Sequence, residues 1–266
     1  NDFIGIYPMT ALPNTPFFDP EYIKKYEIDI VETTPAFYHH ENADLLKNES
    51  EYMVVGSKTM TREQYIEASL WKWLFMFGYS LGHLKYIAKF IKSIKNVSYK
   101  EFYEKFYTYM VDNPNSFMGK EYMITKSTLG KILKKEELWG RAVDLTGNFY
   151  WEFEEATALE VALNRDEFLD SVREFLNQFN LSEKVENEII EFQSSIIKNP
   201  LEKYPMRKKF DYNIKDVLFN NQKLKNSGYN YQFDSENYKN DVREWGTKAI
   251  WWGRRNKGFE TVVYEK

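Results

Sequence analysis

The sequence predicts an α+β fold, and three observations carry that expectation. Apolar and polar residues alternate in short runs at both ends of the chain, which is the period of strands. From Thr61 to about residue 200 the apolar residues recur at helical spacing instead. Helix-start signals of the Ser/Thr-x-x-Glu/Gln kind open that middle stretch, Thr61 with Gln64 and Ser98 with Glu101, and Asn199-Pro200 closes it.

Taken in order, residues 3–7 (Phe-Ile-Gly-Ile-Tyr) read as a strand, followed by a loop holding Pro8, Pro13 and Pro16. Asp19 is an N-cap with Pro20 at the first helical position, so a short helix is expected over 20–26. Residues 28–33 and 52–57 suit strands. Helices are expected over 61 to about 80, 81 to about 94, 98 to about 111, and at 118–138, 151–163, 165–179 and 182–198. Beyond Pro205, residues 210–214, 229–233 and 261–264 alternate again. These shifts of texture divide the chain into 1–60, 61–200 and 201–266. No internal repeat or low-complexity segment is present.

Composition excludes several functions. The chain has 266 residues and no Cys, so disulfides, thiol nucleophiles and thiolate-held metals are excluded within it. Aromatic residues make up 18% of it, too many for disorder, and a net charge of -4 argues against nucleic acid as the main partner. The most apolar stretch, Leu70 to Leu81, is interrupted by Lys72 and is shorter than the ~20 residues of a membrane span. It reads as a buried helix. An apolar strand at the first residues with no Met at Asn1 leads us to expect a piece of a longer protein in the cytoplasm.

Candidate polar residues are few. His39 and His40 form an adjacent pair followed by Glu41 and Asp44; neighbours on a strand face opposite ways, so they suit a ligand contact or a solvated loop better than chelation. His83, beside Gly82, is expected to pack or cap. Glu152, Glu154, Glu155 and Glu160 fall in one expected helix, where they either complement the helix dipole or serve as paired acid and base. Trp251-Trp252-Gly253-Arg254-Arg255-Asn256 offers stacking faces and guanidinium forks around a possible bend, or else a plain aromatic hairpin. No Gly-rich phosphate loop, GxSxG elbow or HExxH helix occurs, and the sequence assigns no catalytic residue.

The order of several short motifs resembles a known family. Tyr7-Pro8-Met9-Thr10-Ala11-Leu12-Pro13-Asn14-Thr15-Pro16, then Asp19-Pro20-Glu21-Tyr22 and Lys24 to Ile28, resembles a segment of radical S-adenosylmethionine proteins that carry an N-terminal cobalamin-binding domain. Tyr52 to Thr61 is similar to that family's strand-turn before a long aromatic helix. Ile190-Glu191-Phe192-Gln193 with Asn199-Pro200 is similar to its late helix, and Ala249 to Arg255 to its C-terminal strand.

The resemblance implies that residues 3–7 are the last strand of a partial barrel. The chain would then be the substrate-shaping C-terminal region of an enzyme that methylates or rearranges an unactivated carbon. Its partners would be the cobalamin-binding and radical barrel domains and a small-molecule substrate. It also implies S-adenosylmethionine, a four-iron cluster and cobalamin for the parent enzyme, none held by this chain alone, because the family's CxxxCxxC and DxHxxG patterns are missing here. Asn14 and Thr15 are the first candidates for contact with substrate or S-adenosylmethionine, although the two prolines around them equally suit a turn. His39, His40, Trp252, Arg254 and Arg255 come next. Two other readings stay open: a standalone helical module that binds a ligand or peptide, and a hydrolase using Glu152, Glu155 or Glu160.

Overall fold

The computed structural model describes residues 3–33, 50–146 and 149–265. It is α+β, as the sequence predicts. The first sheet places β3 (Glu51–Gly56) between β1 (Thr10–Ala11) and β2 (Asp29–Thr33), all antiparallel, with Met53 facing Thr10 on one side and Val31 on the other. Helix α1 (Pro20–Tyr26) starts where expected, with Asp19 Oδ1 accepting the Glu21 amide at 2.9 Å.

Residues 3–7 do not form the expected strand. Apolar alternation marks a segment that could pair, yet β3 gives its free edge to Met9, Thr10 and Ala11. The preceding residues are clipped elsewhere. Ile4 donates its amide to Ser80 Oγ (3.2 Å) and accepts from the same hydroxyl (2.8 Å), while Ile4, Ile6, Tyr7 and Met9 face solvent.

The helical middle follows from Thr61. Its Oγ1 accepts the Gln64 amide, and Gln64 Oε1 accepts the Thr61 amide at 2.9 Å, starting α2 (Arg62–Phe75). A π-helical turn, Met76–Ser80, continues it. The run expected from residue 81 is broken at Gly82, whose φ of 83° a side chain would disfavour and whose missing Cβ leaves room for Ile197 and Phe259. Helix α3 (Lys85–Lys95) therefore begins late, behind Leu84, which has no capping side chain. Gln193, from far along the chain, supplies the cap: its Oε1 accepts the Tyr86 and Ile87 amides (3.0 and 3.3 Å) and its Nε2 donates to Gly82 O (2.8 Å).

Helices α4 (Tyr99–Asp112) and α5 (Phe117–Leu133) follow. The expected extension of α5 to residue 138 fails because Lys134 to Glu137 are all exposed and give the core nothing; Lys135, at φ 63°, ends the helix. A hairpin that the sequence did not signal, β4 (Arg141–Ala142) with β5 (Tyr150–Trp151), leads into α6 (Phe153–Leu163), α7 (Arg165–Leu176) and α8 (Glu183–Ile196). Aromatic rings lock these helices together: Phe106 meets Phe175 edge-on at 4.8 Å and Trp71 stacks on Tyr107 at 4.5 Å.

The tail forms the sheet β6 (Met206–Tyr212), β7 (Asn226–Asp234) and β8 (Val262–Glu265), antiparallel, with helix α9 (Ile214–Asn220) between its first two strands. Register shifts at Phe210/Tyr212, and the Glu188 carboxylate accepts the Asp211 and Tyr212 amides at 2.6 and 2.9 Å. Helix α10 (Val242–Trp245) runs into a π-helix over Gly246–Trp252 and a 3-10 turn over Arg254–Asn256. Residues 249–255 were expected as a strand or hairpin. The burial of Trp245, Ala249 and Ile250 is helical spacing, and that face decides the conformation. The buried apolar side chains from Val31 to Phe259 form one contiguous core.

Candidate functional site

The most unusual chemistry of the molecule lies where α2, α6 and the turn after α10 meet. Helix α6 opens with Glu152 at its cap and Glu154 and Glu155 in its first turn. Acidic residues at that position complement the helix dipole. Here, however, Glu154 and Glu155 are only 1% and 0% exposed, so dipole compensation at a solvated helix end does not account for them. Buried carboxylates need partners, and two cations supply them. Lys72 Nζ lies 3.0 Å from Glu152 Oε2 and 3.6 Å from Glu154 Oε2. Arg254 Nη1 lies 3.0 Å from Glu155 Oε1 and 3.8 Å from Glu154 Oε1. Trp139 Nε1 donates to Glu152 Oε1 at 3.3 Å, and the Glu152 amide donates to Glu155 Oε2 at 3.2 Å.

A second polar layer continues along the same helix. Arg141 forks Glu121 with 2.5 and 3.0 Å hydrogen bonds and reaches Glu160 at 3.2 Å. Trp73 Nε1 donates to Thr157 Oγ1 (3.0 Å), which donates to Glu121 Oε2 (2.8 Å). All of these groups are enclosed or nearly so, and such networks are stabilising only when each member is satisfied.

Three carboxylates face two cations in the first layer, so full ionisation leaves one negative charge uncompensated. The protonation states reflect this. Burial, and then the Glu152 and Glu155 charges, raise the Glu154 pKa to about 7 against the pull of Lys72. Burial would likewise raise Glu152, but Lys72, Trp139 and Arg254 outweigh it and hold that carboxyl below its ordinary value. Burial would lower Lys72, yet Glu154 and Glu152 keep it above the usual lysine range. The cluster can therefore store a proton near neutral pH. It also ties the C-terminal turn to the helical core.

The candidates read from sequence are dispersed. Asn14 and Thr15 form an exposed turn: Pro13 precedes Asn14, which has φ 65°, and Thr15 returns its amide and its hydroxyl to Leu12 O at 3.2 and 2.6 Å. His39 and His40 lie outside the described residues. Trp252 is 66% exposed, its ring 4.1 Å from that of Trp251, and Arg255 is exposed beside it. Among the described members of this set, Arg254 alone joins the ion-pair cluster. Glu160 sits in the second layer, held by Arg141 and by Asn164 Nδ2 at 3.3 Å. A hydrolase needs a carboxylate that a substrate can reach, and the deepest two, Glu154 and Glu155, are closed off.

Sequence reasoning missed Lys72, Glu121 and Arg141 as members of the site. The signal for Lys72 was present: it is the lone charge in the apolar stretch from Leu70 to Leu81, and such a charge requires a partner. Among the described residues no three His, Asp or Glu side chains converge as a metal site. With no Cys in the chain, its donor set does not fit a thiolate-held iron–sulfur cluster. Among the same residues no helix is long and apolar enough to cross a membrane.

No protein-family model matches the chain. It is similar to the cobalamin-dependent radical SAM methyltransferase TokK of Streptomyces tokunonensis, with 22% identity over 214 residues, 74% of this chain and 31% of that protein. It is also similar to the 2-(S-pantetheinyl)-carbapenam-3-carboxylate methyltransferase of Streptantibioticus cattleyicolor, with 24% identity over 122 residues, 45% of this chain and 18% of that protein. The chain thus spans less than a third of the length of either relative.

Proposed function

We propose that this chain is the C-terminal, substrate-shaping region of a cobalamin-dependent radical S-adenosylmethionine methyltransferase. The observation that carries the reading is the similarity to TokK over 74% of the chain. A second observation agrees with it. Ile4, Ile6, Tyr7, Met9 and Leu12 are all exposed along one short stretch, and a row of apolar side chains of this kind fits a face covered by a larger partner. In the proposal the partner is the remainder of the parent enzyme, its cobalamin-binding and radical barrel domains.

The three segments then divide the work. Residues 1–60 join the barrel, 61–200 form the helical body, and 201–266 close the substrate side. The ion pairs of Arg254 with Glu155 and Glu154 fix the turn that presents Trp252 and Arg255. Asn14, Thr15, His39 and His40 are the remaining candidates for contact with substrate or S-adenosylmethionine. The four-iron cluster, the cobalamin and the radical chemistry belong to the rest of the enzyme.

The test uses the natural gene. Its whole product, supplied with iron, sulfide, cobalamin and S-adenosylmethionine, is expected to carry CxxxCxxC upstream of Asn1, to cleave S-adenosylmethionine reductively and to transfer its methyl group. A whole product without that motif and without cleavage refutes the reading.

A further inference from the structure

Away from the ion-pair cluster, α6, α7, α8 and α10 line a partly open pocket with a cavity of about 30 Å³. Val161, Ala162, Phe168 and Ile197 give it apolar walls. Two side chains that line it carry buried nitrogens without a hydrogen-bond partner, His83 Nε2 and Trp245 Nε1. Their residues are 4% and 0% exposed. The other polar groups of the cavity wall are served within the protein. Gln193 spends both ends of its amide on the start of α3. Asn199 Nδ2 donates to Ala162 O and its Oδ1 accepts the Leu201 amide. The two cations of the wall are paired: Arg165 donates to Glu202 and to Ser194 O, and Lys198 Nζ lies 3.8 Å from Glu236. Unsatisfied buried polar atoms are uncommon in folded proteins, and two that share one cavity point to a missing partner.

The chemistry of the two nitrogens restricts that partner. An indole N–H only donates. His83 lies flat on Phe77 at 4.7 Å, and burial lowers its pKa to about 3, so its ring is neutral. With its proton on Nδ1, the ring offers a lone pair at Nε2; with its proton on Nε2, it donates there. A hydroxyl group matches both nitrogens in either case, accepting from Trp245 and donating to or accepting from His83. A cation would face the indole N–H. At about 10–15 Å³ for each water-sized group, the cavity holds about two.

We propose that this cavity is a binding site for one neutral hydroxyl group, filled by water in the free protein and by the hydroxyl end of a small alcohol-bearing ligand when one is present. The site does not depend on the enzymatic reading above, and its test does not use turnover.

Nuclear magnetic resonance of the nitrogen-15-labelled chain, with methanol as the probe, reads the site directly. The Trp245 indole N–H is expected to show a cross-peak to a long-resident water. Methanol should displace that water and move the indole resonance to a saturating limit. Trp245→Phe should remove the signal, and His83→Phe should weaken methanol binding about tenfold, the loss of one ordinary hydrogen bond. If either variant fails to fold, the nitrogen resonance of His83 Nε2 in the unaltered chain follows the same titration. A Trp245 indole that meets no water and ignores methanol overturns the proposal. A water that stays at every methanol concentration overturns it as well, because the site is then structural.

Discussion

Glu154→Gln tests the charge balance of the buried cluster. The substitution keeps the shape of the side chain and leaves two carboxylates, Glu152 and Glu155, facing the two cations, Lys72 and Arg254. In the wild-type chain the Glu154 pKa is raised from 4.5 to about 7, by burial first and by its neighbours second. A carboxyl with a raised folded-state pKa holds its proton more tightly folded than unfolded. Its effect on stability is therefore neutral well below pH 4.5, increasingly unfavourable as pH rises from about 4.5 to about 7, and constant above that. The displacement from 4.5 to about 7, at about 1.4 kcal/mol per pH unit, amounts to about 3 kcal/mol. At about 2–4 °C per kcal/mol for a chain of this size, that is roughly 6–12 °C in Tm. Thermal unfolding followed by circular dichroism from pH 4 to pH 8.5 is the assay. Wild type and variant should coincide near pH 4, and the variant should be the more stable by up to about 3 kcal/mol at pH 8.5. A variant less stable than wild type at high pH, or a gap that does not change with pH, refutes the reasoning.

Other perturbations follow from the same geometry. Arg254→Met should cost about 3–5 kcal/mol in urea unfolding, since it leaves Glu155 buried without its guanidinium, and most of the loss should return when Glu155→Leu is added. Thr157→Val strands the Trp73 N–H and removes a donor to Glu121; a loss of about 1–3 kcal/mol by the same method is expected. Gly119→Ala would set a Cβ 2.0 Å from the Asn113 carbonyl oxygen, so α5 must move or unwind at its start, and a loss above about 2 kcal/mol is expected in thermal unfolding.

Much of the fold is legible in the sequence because it is written locally. The Asp19, Thr61 and Ser98 caps each act within three residues, and each of those helices begins where its cap stands. The three tail strands lie where the sequence alternates, except that the first starts earlier, at Met206, and gives way to α9 at Ile214, where the side chain packs into the core. What stays hidden depends on distant partners. Residues 3–7 carry a strand's pattern, but pairing needs an edge, and β3 gives its edge to Thr10 and Ala11. The run from Gly246 to Trp252 is rich in strand-forming residues, yet the core it packs against admits a helical face. The candidate site was half visible. Lys72 announced a buried charge, and the α6 glutamates were noticed. Their meeting with Arg254, about a hundred residues later in the chain, is a fact of tertiary packing that no spacing rule encodes.

The borrowed cap on α3 has a consequence for the order in which the molecule assembles. The Tyr86 amide receives its partner from Gln193, 107 residues downstream. At about 5–20 residues per second of synthesis, that helix waits roughly 5–20 s on the ribosome before its capping group exists. Through that interval the Tyr86 and Ile87 amides have only solvent, and α3 lacks the α8 surface against which it packs. The latest helix of the bundle thus finishes one of the earliest. Amide exchange in the first turn of α3 should accordingly rise and fall with the opening of α8, not with that of its immediate neighbour α4.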